Sequence, residues 1–190
     1  MKEYPVNLKI DYSEQSDRLT AILRLILVIP IVIILALIST YAEALSLAIA
    51  MMILFKEKYP KWWFDWNIGI TKFTYRIAAY VLLMRDEYPA TDHEQSVKIT
   101  IPYPDVKNEL KRWMPLVKWI LVIPHVIVLL FLFIGVVLAT IFALLAILFT
   151  GKYPKGIFDF VEGVLRWALR VSAFALLLTT DEYPPFRLKE

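Results

Sequence analysis

Residues 149–170 read FTGKYPKGIFDFVEGVLRWALR, and residues 55–76 read FKEKYPKWWFDWNIGITKFTYR. Ninety-four residues apart, the two stretches are identical at nine aligned positions, among them Tyr59/Tyr153, Pro60/Pro154, Asp65/Asp159 and Arg76/Arg170. The chain is an internal duplication, and a repeat found first constrains every later reading. We take the first copy as 1–92 and the second as 93–190.

Working outward, each copy carries a long apolar block before this stretch. Leu19–Phe55 is interrupted chiefly by Arg24, Ser39, Thr40 and Glu43. Trp113–Phe149 is interrupted chiefly by Lys118, His125 and Gly135. Hydrophobic residues make up 59% of the 190-residue chain, against about 45–50% in a soluble domain. Mean hydropathy is +0.59. Such blocks are the mark of a bilayer-embedded protein.

A span needs about 20 residues, so blocks 19–55 and 113–149 are too long for one and just long enough for two short ones. This spacing predicts a transmembrane helical hairpin in each copy. The turns are expected near Ser39–Glu43 and Phe133–Val136. Pro30 and Pro124 occupy matching positions and are expected to kink their helices. Arg24 and Lys118 also match, and near a helix start they can snorkel to headgroups. Lys and Arg crowd the outer ends of both blocks. By the positive-inside rule those ends, and both termini, are cytoplasmic.

Before each block comes a short alternating run, 5–12 and 97–103. Val6, Leu8 and Ile10 share one face, as do Val97, Ile99 and Ile101, which predicts two strands. These can pair with each other or with a neighbouring subunit. After each block, Pro60 and Pro154 in Lys-Tyr-Pro read as helix stops, with Tyr and Lys at headgroup level. Trp62, Trp63 and Trp66 form an aromatic belt. An amphipathic helix is predicted over 64–84 and again over 157–178. Asp65 and Asp159 read as caps at its start. Lys72 and Arg76, like Arg166 and Arg170, fall on one polar stripe. That stripe suits an interfacial helix or a helix lining a cavity. Guanidinium groups bind phosphate through paired hydrogen bonds, so these four residues are the candidate site for lipid headgroups or another anion.

The overall expectation is an all-α integral membrane protein of two tandem repeats. Each repeat holds a short strand, a hairpin and an interfacial helix. The first 18 residues carry no apolar run, so insertion is expected to begin at the first block. Net charge is only +3 and cysteine is absent, which points away from nucleic acid and excludes disulfides and thiolate metal sites. His125 stands alone on its helix, short of the converging ligands a metal needs. No nucleophile turn or phosphate-cradling loop occurs, so neither enzyme chemistry nor a cofactor is expected.

The run F-T-G-K-Y-P, F-D-F, R-W-x-x-R-V and D-E-Y-P-P-F in the second copy resembles a family of small bacterial membrane proteins known only as a domain of unknown function, often in tandem. The first copy departs from it at Lys56-Glu57, at Lys72 and at Pro89-Ala90. The resemblance implies membrane location and bacterial origin and supplies no reaction. The function expected is a non-enzymatic scaffold or accessory subunit of the inner membrane, contacting lipids and either further copies of itself or a larger complex. The competing expectation is an oligomeric channel or transporter with an arginine-lined anion path.

Overall fold

Alternation does make strands, and the two strands find each other. The computed structural model describes residues 4–189, with the side chains of residue 25 and residues 39–44 outside the description. Strand β1 (Asn7–Ile10) pairs antiparallel with β2 (Val97–Thr100), Leu8 opposite Ile99 and Lys9 opposite Lys98. Leu8, Ile10, Val97 and Ile99 are buried, while Lys9 and Lys98 face outward. Two lysines directly opposite repel, and Asp11 answers Lys98 at 2.8 Å. The register is symmetric. Exchanging the copies, with Leu8 equivalent to Ile99 and Tyr12 to Tyr103, turns the pair Asn7–Thr100 into the pair Lys9–Lys98 and leaves Leu8 opposite Ile99. A pseudo-twofold axis therefore passes between the strands.

Each apolar block is carried by long helix rather than by a hairpin. Helix α1 covers Arg18–Lys56. The turn expected near 39–43 falls on residues whose side chains are not described, and the backbone assignment runs helical through them. Helix α2 follows over Lys61–Val81. In the second copy a single turn, α3 (Val106–Glu109), leads into α4 (Met114–Leu121) and α5 (Ile123–Thr150). Helix α6 covers Lys155–Ala175. The turn expected near Phe133–Val136 is absent, because α5 is continuous there. One glycine costs a helix only about 1 kcal/mol, too little to break a run with strong formers on both sides. Gly135 instead leaves room for Phe160, whose ring lies 3.3 Å from where a Cβ would stand.

The departures from straight helix come near the prolines. Helix α1 bends by 46° between 18–24 and 26–38, about one turn before Pro30, whose ring removes the hydrogen bond to the carbonyl four residues back. In the second copy the helix is interrupted at Val122, and Pro124 sits in the first turn of α5. Helices α1 and α5 end at equivalent residues in left-handed conformation, Glu57 at φ 50° and Gly151 at φ 73°. Pro60 and Pro154 are thus not the stops. They stand one residue before α2 and α6 and start them, since proline's fixed φ suits a helix entrance.

Strand β1 rests on α6 and β2 on α2, while α6 packs on α5 and α2 on α1. The start of α1 lies at the end of α5, where Arg18 donates to the Phe149 carbonyl at 3.3 Å and the Ser16 amide to that of Gly151 at 3.0 Å. The end of α1 lies at the approach to α4, where Arg112 donates to the Leu54 carbonyl. The two long helical runs are therefore antiparallel, and the pseudo-twofold crosses them. The result is three layers: the sheet, then α2 and α6, then α1 with α4–α5. The largest core joins Leu8 and Val97 of the sheet to Val161, Val164 and Leu165 of α6.

Candidate functional site

Arg24 and Lys118, set in the apolar blocks, are the best-buried charges among the described residues. Each is 1% exposed, and neither snorkels. Arg24 pairs with Asp86, and Lys118 lies 2.7 Å from Asp181. Both aspartates open the Asp-Glu-Tyr-Pro that closes each copy. Each cation also stands 5.1 Å from an aromatic centroid, Tyr80 for Arg24 and Phe174 for Lys118. Each donates to a backbone carbonyl, Arg24 to Tyr80 at 3.4 Å and Lys118 to Thr180 at 2.8 Å. Tyr88 and Tyr183 then meet those rings edge-on at 5.7 and 5.8 Å. Their hydroxyls reach the carbonyls of Leu27 and Leu121. The whole constellation appears twice. It ties the end of each copy to the first turns of its long helix. The sequence carried a signal for it, since a cation and an aspartate recur at matching places in both copies.

The Lys-Tyr-Pro tyrosines are buried as well, not at headgroup level. Tyr59 and Tyr153 lie in the core, edge-on to Phe64 and Phe158 at 5.8 Å in both copies. From the chain just beyond each strand, Tyr103 donates to the Tyr59 carbonyl and Tyr12 to that of Tyr153. Trp62 and Trp66 are exposed. Asp65 and Asp159 do not cap their helices. The helices start one turn earlier than the caps require, and each aspartate pairs with the lysine four residues back, Lys61 or Lys155.

The polar stripe faces protein over much of its length. Arg166 donates to the Leu8 carbonyl at 2.8 Å and to that of Leu188 at 3.2 Å. It also pairs with Glu162 at 2.9 Å, and Glu162 accepts from the Ile10 amide at 2.7 Å. Arg170, 2% exposed, donates to the Arg187 carbonyl at 2.8 Å. Five donors in a rigid fork let arginine hold several carbonyls at once. In the first copy Arg76 donates to the Ala90 carbonyl, and Lys72 is exposed. The stripe therefore clamps β1 and the C-terminal segment onto α6.

His125 is fully buried. Its Nδ1 accepts from the Trp167 indole at 3.0 Å, and its ring stacks on Phe186 at 3.9 Å. Nε2 has no hydrogen-bond partner among the described residues. The first copy has Ile31 and Phe73 at these positions, packed in a small apolar cluster.

The outward side of the long helices is of another kind. Val126, Leu130, Ile134, Val137, Ile141 and Leu145 form one exposed apolar stripe down α5. Leu19, Ile26, Ile33 and Leu37 are exposed on α1. Helix α5 is long and apolar enough to cross a membrane, and only 17% of its most apolar window is buried.

No curated protein and no solved structure matches the chain. A family description, Domain of unknown function (DUF4389), matches residues 18–91 and again residues 112–187. Each match runs from the start of a long helix through the Asp-Glu-Tyr-Pro that locks it. The chain belongs to the DUF4389 family and carries its domain of unknown function twice.

Proposed function

We propose that the chain is a non-enzymatic membrane protein, a scaffold whose apolar helical layer contacts lipid and whose sheet side is free to meet a partner. The exposure of α5 carries this reading. The core helix of a soluble protein is mostly buried, whereas this one turns an apolar stripe outward along its length. Exposed apolar patches beyond a few hundred Å² mark membrane or protein contact. A bacterial inner membrane suits the resemblance of the repeats. Lipid headgroups are the anions this reading offers to basic residues at the ends of the long helices, such as Lys56 and Lys58. The test is fractionation of the expressed protein. It should stay with the membranes through an alkaline carbonate wash and leave only with detergent. Recovery in the wash would end the membrane reading.

An arginine-lined anion path fits less well, because Arg166 and Arg170 already give donors to backbone carbonyls. Reconstituted vesicles should show no chloride flux above empty ones. Flux that Arg76→Ala removes, with the fold intact, would favour the channel over the scaffold.

A further inference from the structure

We infer that the protein is monotopic: α1 and α5 lie along the membrane plane, sunk in one leaflet of phospholipid, and neither crosses it. This rests on the membrane reading above and goes beyond it.

The position of the sheet carries the argument. Arg166 and Glu162 hold β1 over the middle of α6. Helix α6 runs antiparallel along α5, with Phe160 against Gly135 and Trp167 on His125. The sheet therefore lies beside the body of α5, not beyond either end. Its outer face carries exposed Lys9 and Lys98. If α5 stood upright, those lysines would sit at hydrocarbon depth on the outside of the molecule, where a charge is expensive. With α5 lying flat, the sheet and its lysines are in water and the outward stripe alone meets lipid.

Three further observations agree. Protein covers one narrow side of α5 along its whole length: Leu129, Val136, Ala143 and Ile147 are buried, while the wide opposite side, Phe131 and Phe142 included, is exposed and apolar. At about 1.5 Å per residue, the 28 residues of α5 extend about 42 Å, beyond the ~30 Å of a bilayer core. Basic residues flank both ends of the long-helix layer: Lys56, Lys58 and Arg112 at one, Arg18, Lys152 and Lys155 at the other. Upright helices would put one cluster on each side of the membrane, which the positive-inside rule disfavours. Flat helices put both on the same side, with the pseudo-twofold along the membrane normal. The occupant of the apolar face is thus an anionic leaflet.

The chain has no cysteine, so single cysteines report cleanly. Spin labels at V126C, L130C, I134C, I141C and L145C, in vesicles of phosphatidylethanolamine and phosphatidylglycerol, should all report one shallow depth. In cells, K58C and K152C should react with a membrane-impermeant maleimide from the same side. A depth profile peaking near Ile134, or labelling of the two ends from opposite sides, overturns the flat arrangement while leaving the membrane reading intact. Failure of all five labels to enter the hydrocarbon, with the protein released by carbonate, overturns both.

Discussion

The ammonium of Lys118 lies 2.7 Å from a carboxylate oxygen of Asp181, with side-chain exposures of 1% and 13%. A buried pair of this kind gives little net stability, because desolvation offsets the attraction. Removing one partner is costly all the same, at about 3–5 kcal/mol, since it strands a charge. Asp181→Leu is therefore expected to lower the denaturation midpoint sharply in detergent. The double change Asp181→Leu with Lys118→Met should recover most of the loss. A double variant as unstable as the single one would show that the pair is not what Asp181 supports.

The equivalent glycines of α2 and α6 should respond with opposite signs. A Cβ on Gly69 would meet nothing within 4 Å, whereas one on Gly163 would stand 2.9 Å from the Leu188 Cβ and 3.1 Å from its carbonyl oxygen. Gly69→Ala is expected to stabilise by roughly 0.5–1 kcal/mol through helix propensity. Gly163→Ala should cost about 1–3 kcal/mol by pushing the C-terminal segment off α6. It should also speed tryptic cleavage after Arg187. Equal effects at the two sites would contradict the packing of Leu188.

His125 and Trp167 can be exchanged for the residues of the first copy. His125→Ile leaves the Trp167 indole N–H buried without its acceptor, at an expected cost of about 1–3 kcal/mol. Adding Trp167→Phe removes the orphan donor and recreates the pair Ile31–Phe73. The two changes should therefore couple by more than about 0.5 kcal/mol, measured by a double-mutant cycle. Simple additivity would mean that the hydrogen bond contributes nothing.

Alkaline pH should loosen the fold. Burial pushes the Tyr59 hydroxyl up to about 12 and raises Tyr4 and Tyr153 as well. An unperturbed tyrosine titrates near 10, so the folded state binds these protons more tightly than the unfolded state. Their contribution is full below pH about 10 and is lost as the pH rises toward about 12. The midpoint should hold steady through neutral pH and fall above 10, and Tyr59→Phe should flatten part of that fall. A midpoint that stays level to pH 12 in the parent protein would refute the assignment.

The duplication, the strands and the two amphipathic helices were legible because their signals are local. Alternation gave Leu8 and Ile10 one face, and steps of three and four put Arg166 and Arg170 on one stripe. The hairpins were misread because block length was weighed against membrane thickness, a comparison that assumes upright helices. Gly135 then stood in for a turn, although its role is to admit Phe160 from another helix. What the arginines face could not be read either. The carbonyls of Leu8 and Arg187 are far away in sequence, and a backbone acceptor leaves no mark on residue type. The ion pairs of Arg24 and Lys118 were within reach, since cation and aspartate recur together in both copies.

The symmetric register of β1 and β2 means that neither copy owns its own sheet. Each contributes one edge that is satisfied only by the other. A shorter chain holding a single copy would need an identical neighbour, and its strand would pair with that neighbour's about a true dyad. Joining the halves in one polypeptide makes that contact independent of concentration and lets the sides drift apart. The histidine cluster of one half and its apolar counterpart in the other are such a divergence, and a single polypeptide keeps the two unlike sides paired.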